Sequence, residues 1–295
     1  MKAIVLTYDK YMKFAEHTIY TYQKFWPSHP FTFRVPYGEN PLDRSRFGDR
    51  VELVQMDCAR ALSPAEIEKS PKLFNPIKET VLTLLKDLPD EEWIFWCMDD
   101  RYIMRIQEDK VNDIHDFVID HAGPDVLVVN YARNRAGGYF KSDKYIKEGV
   151  EILTPKGQIL RETVYSDGTY LPDTWSHQFI RVKGIRRIFE SFPDRPFVAK
   201  TMDSFDLPKL PGEKQLMVEN NLVVFGESTS RGEITENCVA SFKRWKMELP
   251  SNMTISSKYH VIGELPYQWM GVTFTLPRGV KRRLTDVTRW YWRNI

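Results

Sequence analysis

Residues 92–104 read EWIFWCMDDRYIM. Six consecutive apolar or aromatic residues, Trp93 to Met98, run directly into the acidic pair Asp99 and Asp100, and a second short apolar segment, Tyr102 to Met104, follows. A run of that length is too short for a typical helix and shows no alternation, so it reads as a strand buried on both faces, as in the middle of a parallel sheet covered by helices. The two carboxylates then stand where the strand leaves the sheet. In open α/β sheets the ligand crevice lies outside the carboxyl ends of the strands. An acidic pair at that edge is placed to hold a divalent cation on a bound phosphate.

The flanking sequence agrees with that setting. Before the run, Asn75-Pro76 offers a helix start, with Asn as cap and Pro at the first helical position. Ile77, Val81, Leu84, Leu85 and Leu88 give that helix one apolar face until Pro89. Nearer the N-terminus, 3–7 is a short apolar strand followed by Tyr8-Asp9. Phe14, Thr18, Tyr22 and Phe25 recur at helical spacing as far as Pro27, which predicts a helix over 11–26. Phe31, Phe33 and Val35 alternate as a strand, and 51–56 makes a third one ending at Asp57. Beyond the run, Val111, Ile114, Phe117 and Val118 form a helix closed by Gly123-Pro124, and 126–129 is another buried strand. Further strands are expected over 175–182 and 222–225, with helices near 185–192 and 238–249. This alternation predicts an α/β fold with a mainly parallel sheet flanked by helices. Residues 132–170 break the rhythm: they hold Gly137-Gly138, several tyrosines and five basic residues between Arg133 and Lys147. They read as a long excursion over the sheet edge, of the kind that serves as a lid or binding loop.

Composition narrows the class. The chain has 295 residues, 42% of them hydrophobic, enough to bury a large core. Its formal net charge of +2 arises from 42 basic and 40 acidic residues, so nothing in it demands a nucleic-acid partner. Three cysteines, Cys58, Cys97 and Cys238, lie far apart without a CxxC, which argues against a disulfide framework or a zinc site and fits a reducing compartment. The N-terminus reads as a first strand and not a signal peptide, and no apolar stretch approaches the length of a membrane span, so a cytoplasmic protein is expected. The segment 277–295 differs in character, with Arg278, Lys281, Arg282, Arg283, Arg289 and Arg293 against Asp286, and Trp290, Tyr291 and Trp292 near the end. Basic residues with interfacial aromatics suit peripheral docking of 278–293 on an anionic inner membrane face. A terminal helix packed on the domain through the same aromatics is the other reading.

Several chemistries are excluded by what the sequence lacks. The six histidines show no HxxxH or HxH spacing, and there is no GxxxxGK[ST], GxGxxG or GxSxG. A site built on carboxylates remains.

The ordered combination of the capped helix and buried strand in LTLLKDLPDEEWIFWCMDD, with Thr7-Tyr8-Asp9 after the first strand, resembles the GT-A nucleotide-sugar glycosyltransferases. There a DxD-type acidic motif ends a central strand. Here the motif reads Asp99-Asp100-Arg101 and has no acid at 101. The resemblance implies one GT-A-like, Rossmann-related domain over 1–276 that moves a sugar from a nucleotide-diphosphate donor to a glycan or lipid-linked acceptor, with inversion, in a cell that builds surface polysaccharide. It further implies Mn²⁺ or Mg²⁺ on Asp99 and Asp100, with His260 as a candidate third ligand, and donor contacts from Thr7, Tyr8, Asp9, Asp57, Asp99 and Arg101. The stretch WSHQFIRVKGIRRIFESFPDRPFVAKTMDSF looks like the region carrying the general base. Asp203 falls where the base is expected and Asp173 competes with it, and either could instead cap a helix. Trp175, His177 and Gln178 are the candidate acceptor contacts, although a lone histidine is more often a satisfied structural residue. Two other functions stay open. A sugar nucleotidyltransferase would use the same carboxylates, but the Gly-rich basic N-terminal loop of such enzymes is missing, and an inactive sugar-binding scaffold is suggested by the incomplete DxD.

Overall fold

The computed structural model describes residues 1–59, 76–132, 145–147, 151–165, 174–194, 197, 202, 210–251, 253–263, 265, 267–269 and 272–274. In chain order these form β1 (Lys2–Leu6), α1 (Met12–Phe25), β2 (Thr32–Tyr37), β3 (Val51–Gln55), α2 (Pro76–Leu84), β4 (Trp93–Met98) and β5 (Arg101–Ile106). Then come α3 (Glu108–Asp120), β6 (Val126–Asn130), β7 (Tyr145–Lys147), β8 (Ile152–Leu153), β9 (Ile159–Tyr165), β10 (Gln178–Arg181) and α4 (Val182–Ser191). Last are β11 (Lys214–Val218), β12 (Val223–Glu227), β13 (Thr229–Ser230), β14 (Glu233–Ile234), α5 (Glu236–Arg244), β15 (Val261–Ile262) and a short strand pair, Tyr267–Trp269 with Val272–Phe274.

The large sheet runs in the order β3-β2-β1-β4-β10-β6-β11-β9-β7. The strands β3, β2, β1 and β4 are mutually parallel, as are β6 and β11, whereas β10 lies antiparallel between β4 and β6. This is the mainly parallel α/β sheet flanked by helices that the sequence predicts.

All six residues of β4 are buried, and the two-residue period of a strand explains why its sequence shows no polar alternation. Trp93, Phe95 and Cys97 join a core shared with α1 and α3, through Ile19, Tyr22, Trp26, Val111, Ile114 and Val118. Ile94, Trp96 and Met98 point the other way, into a core with α2 and α4 that contains Val81, Leu84, Ile185, Ile188 and Phe189. Both faces are covered, so both sets must be apolar.

At the end of β4 the chain leaves this sheet. After the turn at Asp99-Asp100, β5 pairs antiparallel with β12 in a second, three-stranded sheet of order β15-β12-β5. Gly226 on β12 lies opposite Tyr102 on β5, and a Cβ at 226 would collide with the tyrosine ring, so only glycine fits this approach.

Some sequence expectations are corrected here. The excursion over 132–170 contains β9, which pairs with β11 and β8 near the edge of the large sheet. Its middle is polar because Arg161 lies near the sheet margin, where Glu219 answers it at 2.6 Å. The strand β11, residues KQLMV, was not expected. The strand predicted over 175–182 begins at Gln178, leaving Trp175, Ser176 and His177 as its approach. The helix cap at Asn75, most of 132–144 and the basic segment 277–295 lie outside the described residues. Among the described residues no helix is long and apolar enough to cross a membrane.

Candidate active site

The turn at Asp99-Asp100 sits where the carboxyl ends of β4 and β1 meet the start of β5, because β1 and β4 are parallel and in register from Ala3↔Phe95 to Leu6↔Met98. The antiparallel β10 brings its N-terminal approach to the same rim. The two carboxylates face different neighbours. Asp99 is 8% exposed and lies on the β1 side, near Tyr8 and Tyr11. Burial, followed by repulsion from Asp100, holds its carboxyl well above the usual range. The Thr7 hydroxyl opposes that shift, close to Asp99 but without a fully formed hydrogen bond. Asp100 is half-buried and lies among Arg101, Glu227 and His260. Burial pushes it up to about 6, Arg101 works against that, Glu227 adds to it and His260 relieves it.

The second sheet supplies the charged flank. In the β5–β12 ladder Arg101 is the partner of Glu227. The Arg101 guanidinium stands 3.7 Å from a Glu227 oxygen and donates from Nη1 to Ser176 Oγ at 3.3 Å. Glu227 also meets His260 Nδ1, and this contact is the main reason the imidazole is held above its ordinary value. The backbone of His260 is fixed by donating from its N–H to Asn237 Oδ1 at 2.8 Å. Ser228 N–H donates to the Asp100 carbonyl at 2.6 Å, tying the end of β12 to the acidic turn.

The aromatic flank comes from the residues after β1. Tyr8 is 36% exposed, its ring centroid lies 5.1 Å from that of Tyr11, and burial raises both phenols further above neutrality. Asp9 accepts the backbone N–H groups of Gly38 and Glu39, both at 2.8 Å, so its carboxylate braces the turn after β2. Asp57 is exposed in the short turn after β3.

The candidate acceptor residues divide. Trp175 is half-buried and packs on the core face of Trp96 and Met98, while Ser176 meets Arg101. His177 is 1% exposed, with Nδ1 2.6 Å from the Tyr22 hydroxyl and Nε2 3.0 Å from the Met98 carbonyl. Burial, then Arg101, pushes it down to about 3, so it is a neutral core histidine. With both ring nitrogens engaged by protein groups, it is not placed to touch an acceptor. Gln178 is fully buried in β10 opposite Trp96. Asp203 and Asp173 lie outside the described residues.

Glu227 escaped the sequence reading, although its signal was the same as that at 99–100: the apolar run 222–225 ends in an acid two residues on. Among the described residues no group of three or more His, Cys, Asp or Glu side chains is arranged to hold a metal by itself. The donor set instead fits a hard cation shared with a ligand, since Mg²⁺ sites commonly use one or two carboxylates and draw their remaining oxygens from substrate phosphates and water. Of the pair, Asp100 is the more exposed carboxylate and would be the one to hold such a cation.

No protein-family model matches the chain, and no curated protein matches it. Solved structures do. The galactosyltransferase LgtC in complex with donor and acceptor sugar analogs is 14% identical over 63% of this chain and 60% of its own, with a TM-score of 0.35. S. aureus TarS 1–349 in complex with UDP-GlcNAc is 14% identical over 79% of this chain and 59% of its own, with a TM-score of 0.41. Mouse xyloside xylosyltransferase 1 is 10% identical over 64% and 69%, with a TM-score of 0.32. The chain spans about three fifths of the length of the first two. At these scores the likeness carries no functional conclusion, which must come from the site.

Proposed function

We propose that the chain is a GT-A-like glycosyltransferase that moves a sugar from a nucleotide-diphosphate donor to a glycan or lipid-linked acceptor with inversion. The observation that carries this reading is the acidic turn at the carboxyl end of β4, with a pair of tyrosines on one side and Arg101, Glu227 and His260 on the other. Such a rim meets the needs of the donor in order along its length. Tyr8, exposed on one face, stacks the nucleobase. Arg101 faces the diphosphate. Asp100, with His260 beside it, would hold Mn²⁺ or Mg²⁺, and that cation supplies neutralisation of the charge that develops on the leaving diphosphate. Asp203, with Asp173 as the alternative, takes the proton from the acceptor hydroxyl.

The role of Arg101 follows from its surroundings. Glu227 holds the guanidinium at the mouth of the turn and shares its own charge with His260, so Arg101 is oriented without being fully neutralised. In a site this buried a fixed cation acts strongly on developing negative charge, because little water screens it.

The test is a panel of nucleotide sugars assayed by thermal shift and by hydrolysis, with and without Mn²⁺, on the wild type and on Asp100→Asn. The expected result is stabilisation by one class of nucleotide and slow hydrolysis of its sugar, lost in Asp100→Asn. No shift with any nucleotide in either metal condition overturns the transferase reading. Binding without turnover, unchanged in Asp100→Asn, points to a sugar-binding scaffold instead.

A further inference from the structure

The sequence makes α1 an amphipathic helix through Phe14, Thr18, Tyr22 and Phe25, and Ala15 and Ile19 pack in the core on the sheet. A neighbouring row, Thr18, Thr21 and Tyr22, is fully buried yet polar, and every hydroxyl in it is directed at the backbone around the acidic turn or at a residue that holds it. These positions are spaced three and four apart and share one helix face.

The bonds can be assigned a direction. The Thr18 hydroxyl reaches two carbonyl oxygens, Asp99 at 2.8 Å and Arg101 at 3.1 Å, and since carbonyls only accept, its single proton is shared between them. Thr21 Oγ1 accepts from the Ile103 N–H at 3.0 Å and donates to the Thr18 carbonyl at 2.8 Å. His177 Nε2 faces the Met98 carbonyl at 3.0 Å and must be the protonated nitrogen, which leaves Nδ1 of the neutral ring as an acceptor. Tyr22 therefore donates its hydroxyl proton to Nδ1 at 2.6 Å and accepts from the Tyr131 hydroxyl at 2.7 Å. The carbonyls of Met98, Asp99 and Arg101 are thus all held, directly or through His177, by one face of one helix. The β1–β4 ladder ends at Leu6↔Met98 and the β5–β12 ladder begins at Arg101↔Glu227; between them the Ser228 N–H takes the Asp100 carbonyl and α1 takes that of Asp99.

We propose that α1 is the positioning element of the acidic turn, with Thr18 and Tyr22 fixing the peptide planes that aim Asp100. This rests on the reading of that turn as the donor site. Neither residue touches substrate. Their contribution is to remove freedom from the backbone on either side of a carboxylate whose aim must hold to a fraction of an ångström.

The experiment uses the full chain and four variants. Thr18→Val and Tyr22→Phe remove the hydroxyls at nearly constant volume, Thr18→Ser restores a donor, and Asn112→Ala breaks the 2.7 Å bond from Trp26 Nε1 at the far end of α1 as a control. Amide hydrogen exchange is followed at residues 99–103, and kcat and KM are measured for the nucleotide sugar that the wild type hydrolyses. Thr18→Val is expected to raise exchange across the turn about tenfold and to lower kcat by a similar factor with little change in KM, Thr18→Ser to recover most of both, and Tyr22→Phe to show the same pattern more weakly. If Thr18→Val and Tyr22→Phe change turn exchange and kcat no more than Asn112→Ala at an equal loss of Tm, the clamp is ordinary packing and the proposal is overturned. If the wild type hydrolyses no nucleotide sugar, it is the transferase reading that falls, and the exchange measurement alone decides the clamp.

Discussion

The two flanks of the acidic turn are built from opposite materials. On the β1 and α1 side stand hydroxyls and aromatic rings, Thr7, Tyr8, Tyr11 and Thr18, and the carboxylate facing them, Asp99, is deeply buried and driven toward its neutral form. On the β5 and β12 side stand formal charges, Arg101, Glu227 and His260, and Asp100 facing them is half-buried and less strongly shifted. The histidines repeat the contrast, since His177 under the turn is pushed down to about 3 whereas Glu227 holds His260 above its ordinary value. Adjacent acids in one turn therefore meet different surroundings, and under the proposed function Asp99 belongs to the scaffold and Asp100 to the ligand.

The largest effect that can break this asymmetry is in the acids themselves. Asp100→Asn is expected to lower kcat by about 10²- to 10³-fold, the scale of losing a preorganised electrostatic group. Asp99→Asn should keep most of the activity. It should also raise Tm at pH 8, because a carboxyl whose folded pKa lies above its unfolded value loses stability as pH rises, and Asn removes that loss. Equal loss of activity in the two variants would remove the distinction between the flanks.

Next in size is the response to acid. His17 and His177 are buried and held at about 3, below the ordinary histidine value near 6.5. Below pH 6.5 the unfolded chain takes up protons that the fold refuses, so each ring withdraws about 1.4 kcal/mol of stability per pH unit as pH falls toward 3. Chemical denaturation at pH 7 and pH 5 checks this, with His177→Gln expected to show a shallower decline than the wild type.

On the charged flank, Glu227→Gln leaves Arg101 without its carboxylate partner and is expected to cost about 1–3 kcal/mol of stability. It should also return the His260 pKa toward its ordinary value, which NMR titration of that ring reads directly. The smallest effect belongs to the exposed end of the aromatic flank. Tyr8→Ala is expected to weaken binding of whichever nucleotide stabilises the wild type about fivefold, the equivalent of about 1 kcal/mol of stacking, with no change in the acid response, measured by calorimetry.

How much of this was legible follows from the same division. The apolar run at Trp93–Met98 announced its own burial, and β1, α1, β2, β3, α3 and β6 carry periods strong enough to read. Strands near the sheet margin do not: β9 places Arg161, Glu162 and Thr163 in its middle, a pattern that only its pairing with β11 resolves. The acidic turn was legible because charges seldom follow six buried residues without a reason. Glu227 and His260 were harder, since 33 residues separate them and their meeting depends on β12 pairing with both β5 and β15. His177 misled for the opposite reason. Its neighbours in sequence are polar, but its partners in space, Tyr22 and the Met98 carbonyl, lie 155 and 79 residues away.

The reversal of β10 has a consequence for how such a rim can diversify. In a purely parallel sheet only the residues that follow strands reach the ligand edge, so each new contact requires another full crossover through a helix. Because β10 runs backwards beside β4, the residues that precede it, Trp175 and Ser176, arrive at the edge where their neighbours depart. The rim is thereby served by an incoming segment as well as outgoing ones. Changes in length or composition ahead of β10 can alter what the site touches while leaving every strand register in the sheet as it is.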